Sequence, residues 1–163
     1  MSDSVPTTQD AITVMTTRTT AIIIVDHGSK RSESNAMLEL FVERFRAQTS
    51  YPIVEAAHME LAEPSIAQAF AKCVSAGAQR VVVMPYFLLP GRHWSSDIPR
   101  LTAEAAAEHP GVEFMVTAPF GLHPMMMEIV ESRVAHCLNH VQSKAGKCEV
   151  CADGQISCEL RKA

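Results

Sequence analysis

A chain of 163 residues with 47% hydrophobic content can bury one core of ordinary size and has little left for a second. Its formal net charge of -4 lacks the basic surplus that nucleic acid selects, and its apolar runs are too short to span a bilayer. Neither nucleic acid nor a membrane is therefore an expected partner. Five cysteines, an odd number, argue against a secreted disulfide framework and for a reducing, cytoplasm-like compartment.

Residues 1–19 are rich in Ser and Thr and carry Arg18 as their one basic side chain, which predicts a disordered lead-in. Two acids beside that arginine match a transit peptide weakly, and composition alone does not decide the matter. The run Ala21-Ile22-Ile23-Ile24-Val25 predicts a buried strand and leads into Asp26-His27-Gly28-Ser29. Over 34–48, Met37, Phe41 and Phe45 recur every four residues with Leu38 and Val42 beside them, as in an amphipathic helix. Residues 52–57 read as a second strand, with His58-Met59-Glu60-Leu61-Ala62-Glu63 at its carboxyl end.

Pro64 suits the first turn of the next helix, which carries Ile66, Phe70, Cys73 and Val74 on one side and stops at Gly77. The third strand, over 80–86, delivers Phe87-Leu88-Leu89-Pro90-Gly91-Arg92-His93-Trp94. Asp97, with Pro99 close behind, is an N-cap candidate for a helix that Pro110-Gly111 ends. A fourth strand over 112–117 and a long helix over 125–141 complete a folded domain of residues 20–141. A cysteine-rich tail, 142–163, follows, and there is no internal repeat.

Four alternations of strand and helix predict an α/β fold, a four-stranded parallel sheet with helices on both faces. Sites in such sheets form outside the carboxyl ends of the strands. His27, His58 to Glu63, His93 and the 119–124 loop all fall there. Imidazole is both a base near neutral pH and a ligand for borderline divalent metals, so His27 and His93, with Glu60 or Glu63, could hold an ion and accept protons. Glu60 alternates with apolar neighbours as a solvent-facing residue does, and Glu63 stands where a helix cap would.

His58 directly ends a strand and fits packing as well as chemistry. His109 and His123 fit the surface. His136 and His140 share one helical face but lack an evident third ligand. Lys30, Arg31, Arg92 and Arg100 flank the histidine loops of an acidic chain and point to a carboxylate-rich substrate. Cys148, Cys151 and Cys158, with Cys137 as a fourth member, fit a zinc knuckle, an iron–sulfur cluster or a tail of free thiols, and spacing does not choose among them.

Three stretches then carry a resemblance. Val25 to Lys30, His58 to Ser65, and Phe87 to Trp94 with Asp97-Ile98-Pro99 resemble the small class II tetrapyrrole chelatases, most nearly the plant-type sirohydrochlorin ferrochelatases, over about 20–158. The resemblance implies a chelatase-like half lobe working as a homodimer, and insertion of Fe(II) into sirohydrochlorin to give siroheme. It implies that His27 is metal ligand and proton acceptor and that His93 is the second ligand. Glu63 and the loop Leu88, Leu89, Pro90, Gly91, Arg92 and His93 would line the tetrapyrrole site.

Lys30 and Arg92 would meet substrate carboxylates, and Trp94, Phe87 and Phe120 could pack on the macrocycle. The resemblance also implies a [2Fe-2S] cluster on Cys137, Cys148, Cys151 and Cys158, and the chloroplast stroma as compartment. Cobalt or nickel insertion by the same fold, and a non-catalytic metal or tetrapyrrole carrier, are the alternatives.

Overall fold

The structure, a computed structural model, describes residues 18–143. Strands β1 (Thr20–Asp26), β2 (Ile53–His58), β3 (Arg80–Pro85) and β4 (Glu113–Val116) form one parallel sheet in the order β2-β1-β3-β4. Ile22 at the middle of β1 pairs with Val54 on one side and Val82 on the other. Successive side chains of a strand point to opposite faces, so the apolar run of β1 feeds two cores.

Ala21, Ile23 and Val25 join Ile66, Ala69, Phe70 and Cys73 of α2 (Ile66–Ser75) and Ile98, Ala105 and Ala106 of α3 (Ile98–Ala107). Ile22 and Ile24 join Leu38 and Val42 of α1 (Ser32–Gln48) on the other face. A strand buried on both faces needs a continuous apolar run rather than an alternating one, and that is why β1 reads as it does. Phe70 is fully buried, and Phe70→Ala should cost about 3–5 kcal/mol. Beside it, burial pushes the Cys73 thiol up to about 12.

By its contacts the described chain divides into two compact units that part between Gly121 and Leu122. In the second, α4 (Met125–Ser143) has no buried residue, and Met125, Met127, Ile129, Val130, Val134 and Leu138 are exposed. Among the described residues no helix is long and apolar enough to cross a membrane. The expected lead-in falls almost wholly outside the described residues, as does the tail from 144 on, with Cys148, Cys151 and Cys158.

Local details differ from expectation. On α1 the buried stripe is Leu38 and Val42, whereas Met37 is 68% exposed and Phe41 turns to the ring of Tyr86, 4.8 Å away. Pro64 precedes α2 rather than entering its first turn. Ser65 is the N-cap there, and its side chain and that of Gln68 form a reciprocal capping box. Asp97 does not cap α3: a π-helical turn, His93–Asp97, runs directly into that helix and leaves the carboxylate free for another partner.

Candidate active site

The chain leaves β1 for one side of the sheet and, after β2, crosses to β3 on the other, so the strand order reverses between β1 and β3. A crevice opens at such a switch point, beyond the carboxyl ends of the strands. His27 follows β1 and His93 follows β3, and their rings meet edge to face with centroids 5.1 Å apart. Two imidazoles sharing one tetrahedral ion, with metal–nitrogen bonds of about 2.0–2.1 Å, have centroids about 5 Å apart. Both side chains are accessible, 40% and 45% exposed.

The parallel ladder between β1 and β2 continues past both strand ends. Met59 N donates to Asp26 O at 2.9 Å and Glu60 N to His27 O at 3.1 Å. This register brings the Glu60 carboxylate to His27, Oε1 to Nε2 at 2.8 Å. Gly28, with φ +83°, lies so close to the Glu60 carbonyl that a Cβ on it would stand 1.9 Å from that oxygen. Only glycine fits there.

His93 is oriented by side chains. Its Nδ1 lies 2.9 Å from Asp97 Oδ2, one turn further on, which leaves Nε2 for another partner. Trp94 Nε1 donates to Thr117 O at 2.9 Å, and the Phe87 ring lies 6.3 Å from that of His93. Phe87 O and Leu88 O accept from Phe120 N and Gly121 N, which ties this loop to the one after β4. Leu88 and Leu89 stand 63% and 69% exposed beside it.

The two carboxylates part ways. Glu60 meets His27, whereas Glu63 Oε2 accepts from Ser65 N at 2.9 Å at the head of α2. Lys30, Arg31 and Arg92 are exposed, and no ion pair among the described residues engages them; Arg100 is held by Glu104 at 2.8 Å on its own helix. His58, fully buried, lies 2.6 Å from Asp26, and His109 stacks on Phe70 at 5.6 Å. His136 and His140 stack on each other at 6.5 Å on α4, where Cys137 is half-buried.

Sequence reasoning passed over Asp97 and the Asp26–His58 pair. The spacing of four from His93 to Asp97, and the position of Asp26 and His58 each at a strand end, were the available signals. Among the described residues no three imidazole, thiol or carboxylate groups close around a point as in a resident metal site. His27, Glu60 and His93 instead stand open, with room for an incoming ligand.

Comparison with known proteins gives the family. The chain is 59% identical over 139 residues to an Arabidopsis thaliana protein named sirohydrochlorin ferrochelatase, chloroplastic, a match covering 85% of this chain and 61% of that one. Its fold is similar to the sirohydrochlorin chelatase SirB from Bacillus subtilis subspecies spizizenii in complex with cobalt, with a TM-score of 0.68 and 33% identity over 71% of this chain and 50% of that one. It is similar also to SirB from Bacillus subtilis with Fe3+, with a TM-score of 0.63 and 29% identity over 78% and 48% of the two chains. The chain thus spans 61% of the Arabidopsis protein's length and about half of either SirB chain. The sequence profile of the CbiX family matches residues 21–137, which carry the sheet and both histidine loops, and the chain belongs to that family.

Proposed function

We propose that this protein is a sirohydrochlorin ferrochelatase, inserting Fe(II) into sirohydrochlorin to give siroheme with release of two protons. The observation that carries the reading is the open trio at the switch point: His27 Nε2 at 2.8 Å from Glu60 Oε1, with the His93 ring 5.1 Å from that of His27. Iron can enter the macrocycle only as two pyrrole N–H protons leave, so a base must stand beside the metal donors. His27 Nε2 and Glu60 Oε1, 2.8 Å apart, stand together as proton acceptors beside the path of the ion. As the ion passes to the macrocycle, His27 takes up one pyrrole proton and Glu60 the other, and both then pass to solvent. His93, held by Asp97 through Nδ1, offers Nε2 as the second imidazole donor. An open donor set leaves the remaining positions of the ion for the pyrrole nitrogens.

The macrocycle rests, in this reading, on the loop Leu88 to His93, whose exposed leucines adjoin His93. Lys30, Arg31 and Arg92 meet its carboxylates, which orients the ring more than it tightens binding. Glu63 takes part from the edge, through the loop it shares with Glu60. The name of the Arabidopsis relative supports both substrates and the chloroplast as compartment. A homodimer completes the cleft, as the resemblance implies; sedimentation equilibrium checks it. A [2Fe-2S] cluster on Cys137, Cys148, Cys151 and Cys158 is supported by the resemblance, and thiol spacing admits it equally with zinc. Iron and acid-labile sulfide analysis after anaerobic purification tests it, and a colourless protein with stoichiometric zinc removes it.

Cobalt insertion is the second reading, because two imidazoles and a carboxylate discriminate weakly among divalent ions and the SirB relative is solved with cobalt. Product spectra with Fe(II), Co(II) and Ni(II), recorded side by side, separate the two. No acceleration over uncatalysed insertion with any ion overturns the enzyme and leaves a carrier.

A further inference from the structure

The residues that end β1 and β2, Asp26 and His58, are cross-strand partners. His58 is fully buried, the Asp26 side chain is 25% exposed, and Nδ1 lies 2.6 Å from Oδ1. The bond assigns the ring proton to Nδ1. His58 Nε2, also buried, has no partner among the described residues. Burying an imidazole with one nitrogen unmatched costs free energy that an apolar ring of the same size would not. Stability alone therefore does not explain a histidine here. What the polar pair adds is direction.

The same Asp26 Oδ1 accepts from Gly28 N at 2.9 Å. Gly28 is pressed against the Glu60 carbonyl, and His27 and Glu60 each follow the Asp26–His58 pair within two residues. A carboxylate that grips the turn after β1, and is itself gripped from β2, sets how the two reacting side chains face one another. Resting on the metal site proposed above, we infer that Asp26 and His58 are positioning residues that fix the His27–Glu60 separation and thereby the affinity for the incoming metal ion, without touching metal or macrocycle.

The test compares the full-length protein with His58→Phe, which keeps the ring and deletes the bond, and His58→Asn, which restores a donor near Nδ1. Asp26→Ala and Asp26→Asn form the matching pair on the other side. Co(II), without tetrapyrrole, is the probe, followed by its visible absorption; KM for Fe(II) and for sirohydrochlorin is measured alongside. His58→Phe and Asp26→Ala should weaken Co(II) binding roughly 10-fold or more and raise the KM for Fe(II), with the KM for sirohydrochlorin unchanged. The two Asn variants should recover most of the loss.

Co(II) binding within about two-fold of the unmodified protein in His58→Phe and Asp26→Ala overturns the inference. Equal impairment of the Phe and Asn variants also overturns it, because packing alone would then be at stake. If His58→Phe does not fold, the Asp26 pair makes the same comparison. His27→Ala runs alongside: normal Co(II) binding there brings down the metal site itself, whereas its loss with both positioning variants unaffected brings down only the positioning.

Discussion

His27 and His93 stand ring to ring, yet ladder bonds that extend the sheet, with the Asp26 carboxylate, hold the first, whereas the Asp97 and Trp94 side chains and two backbone bonds to the loop after β4 hold the second. The loop after β1 is a continuation of the sheet: two further ladder bonds reach Glu60, and Gly28 lies against its carbonyl. The loop after β3 leaves the sheet, turns at Pro90-Gly91 and gains its shape from the π-helical turn, the Asp97 bond and the Trp94 anchor. The contrast assigns different tolerances to the two sides of one site. A backbone-set geometry fails abruptly when the backbone is displaced, whereas a side-chain-set geometry degrades bond by bond.

The largest effects come from removing either imidazole. His27→Ala and His93→Ala should each lower kcat/KM for iron insertion by about 100-fold or more, and retained activity in both variants would overturn the site. Next comes a matched pair of glycines. Gly28→Ala must push a Cβ into the Glu60 carbonyl at positive φ and should cost more than about 1 kcal/mol, with activity falling in parallel. At Gly91 a Cβ meets nothing within 4 Å, and Gly91→Ala should stay within about 0.5 kcal/mol in urea denaturation. Equal sensitivity at the two glycines breaks the comparison.

On the side-chain-held loop, Asp97→Ala should weaken Co(II) binding roughly 10-fold with little change in Tm, and Asp97→Asn should recover part of it. Trp94→Phe keeps a ring and loses the bond to Thr117 O, for about 1 kcal/mol in the denaturation midpoint. The smallest effect lies at the far end of the sheet. Glu113, hydrogen-bonded to Arg80 and near Arg18, has its carboxyl held below the ordinary value of 4.5. Its folded value is lowered, so its contribution to stability is present above 4.5 and is lost as pH falls through the folded value. Glu113→Gln should flatten that part of the acid denaturation curve and leave insertion at neutral pH unchanged.

Much of the fold was legible because β1, buried on both faces, and β3, buried on one face and half-buried on the other, are written as unbroken apolar runs. The same logic placed His27 and His93 on one rim. The buried stripe of α1 was not legible. Met37-Phe41-Phe45 and Leu38-Val42 are both apolar at helical spacing, a single residue apart, and only the position of the sheet decides which is covered. The choice between Glu60 and Glu63 rested on the ladder continuing past β2, a contact between residues more than thirty apart in sequence. Asp97 carried an N-cap signature, but a π-helical turn has no comparable sequence mark and gave it a different partner.

Cys73 sits at the seam between α2 and the sheet, with its thiol pushed up to about 12 by burial. Thiolate is the form that reacts, so an alkylating reagent at neutral pH finds this sulfur only when the seam opens. Of the two cysteines among the described residues, Cys73 is the buried one and Cys137 the half-buried one. The rate at which Cys73 reacts is a clock for the parting of α2 from the sheet that carries the site.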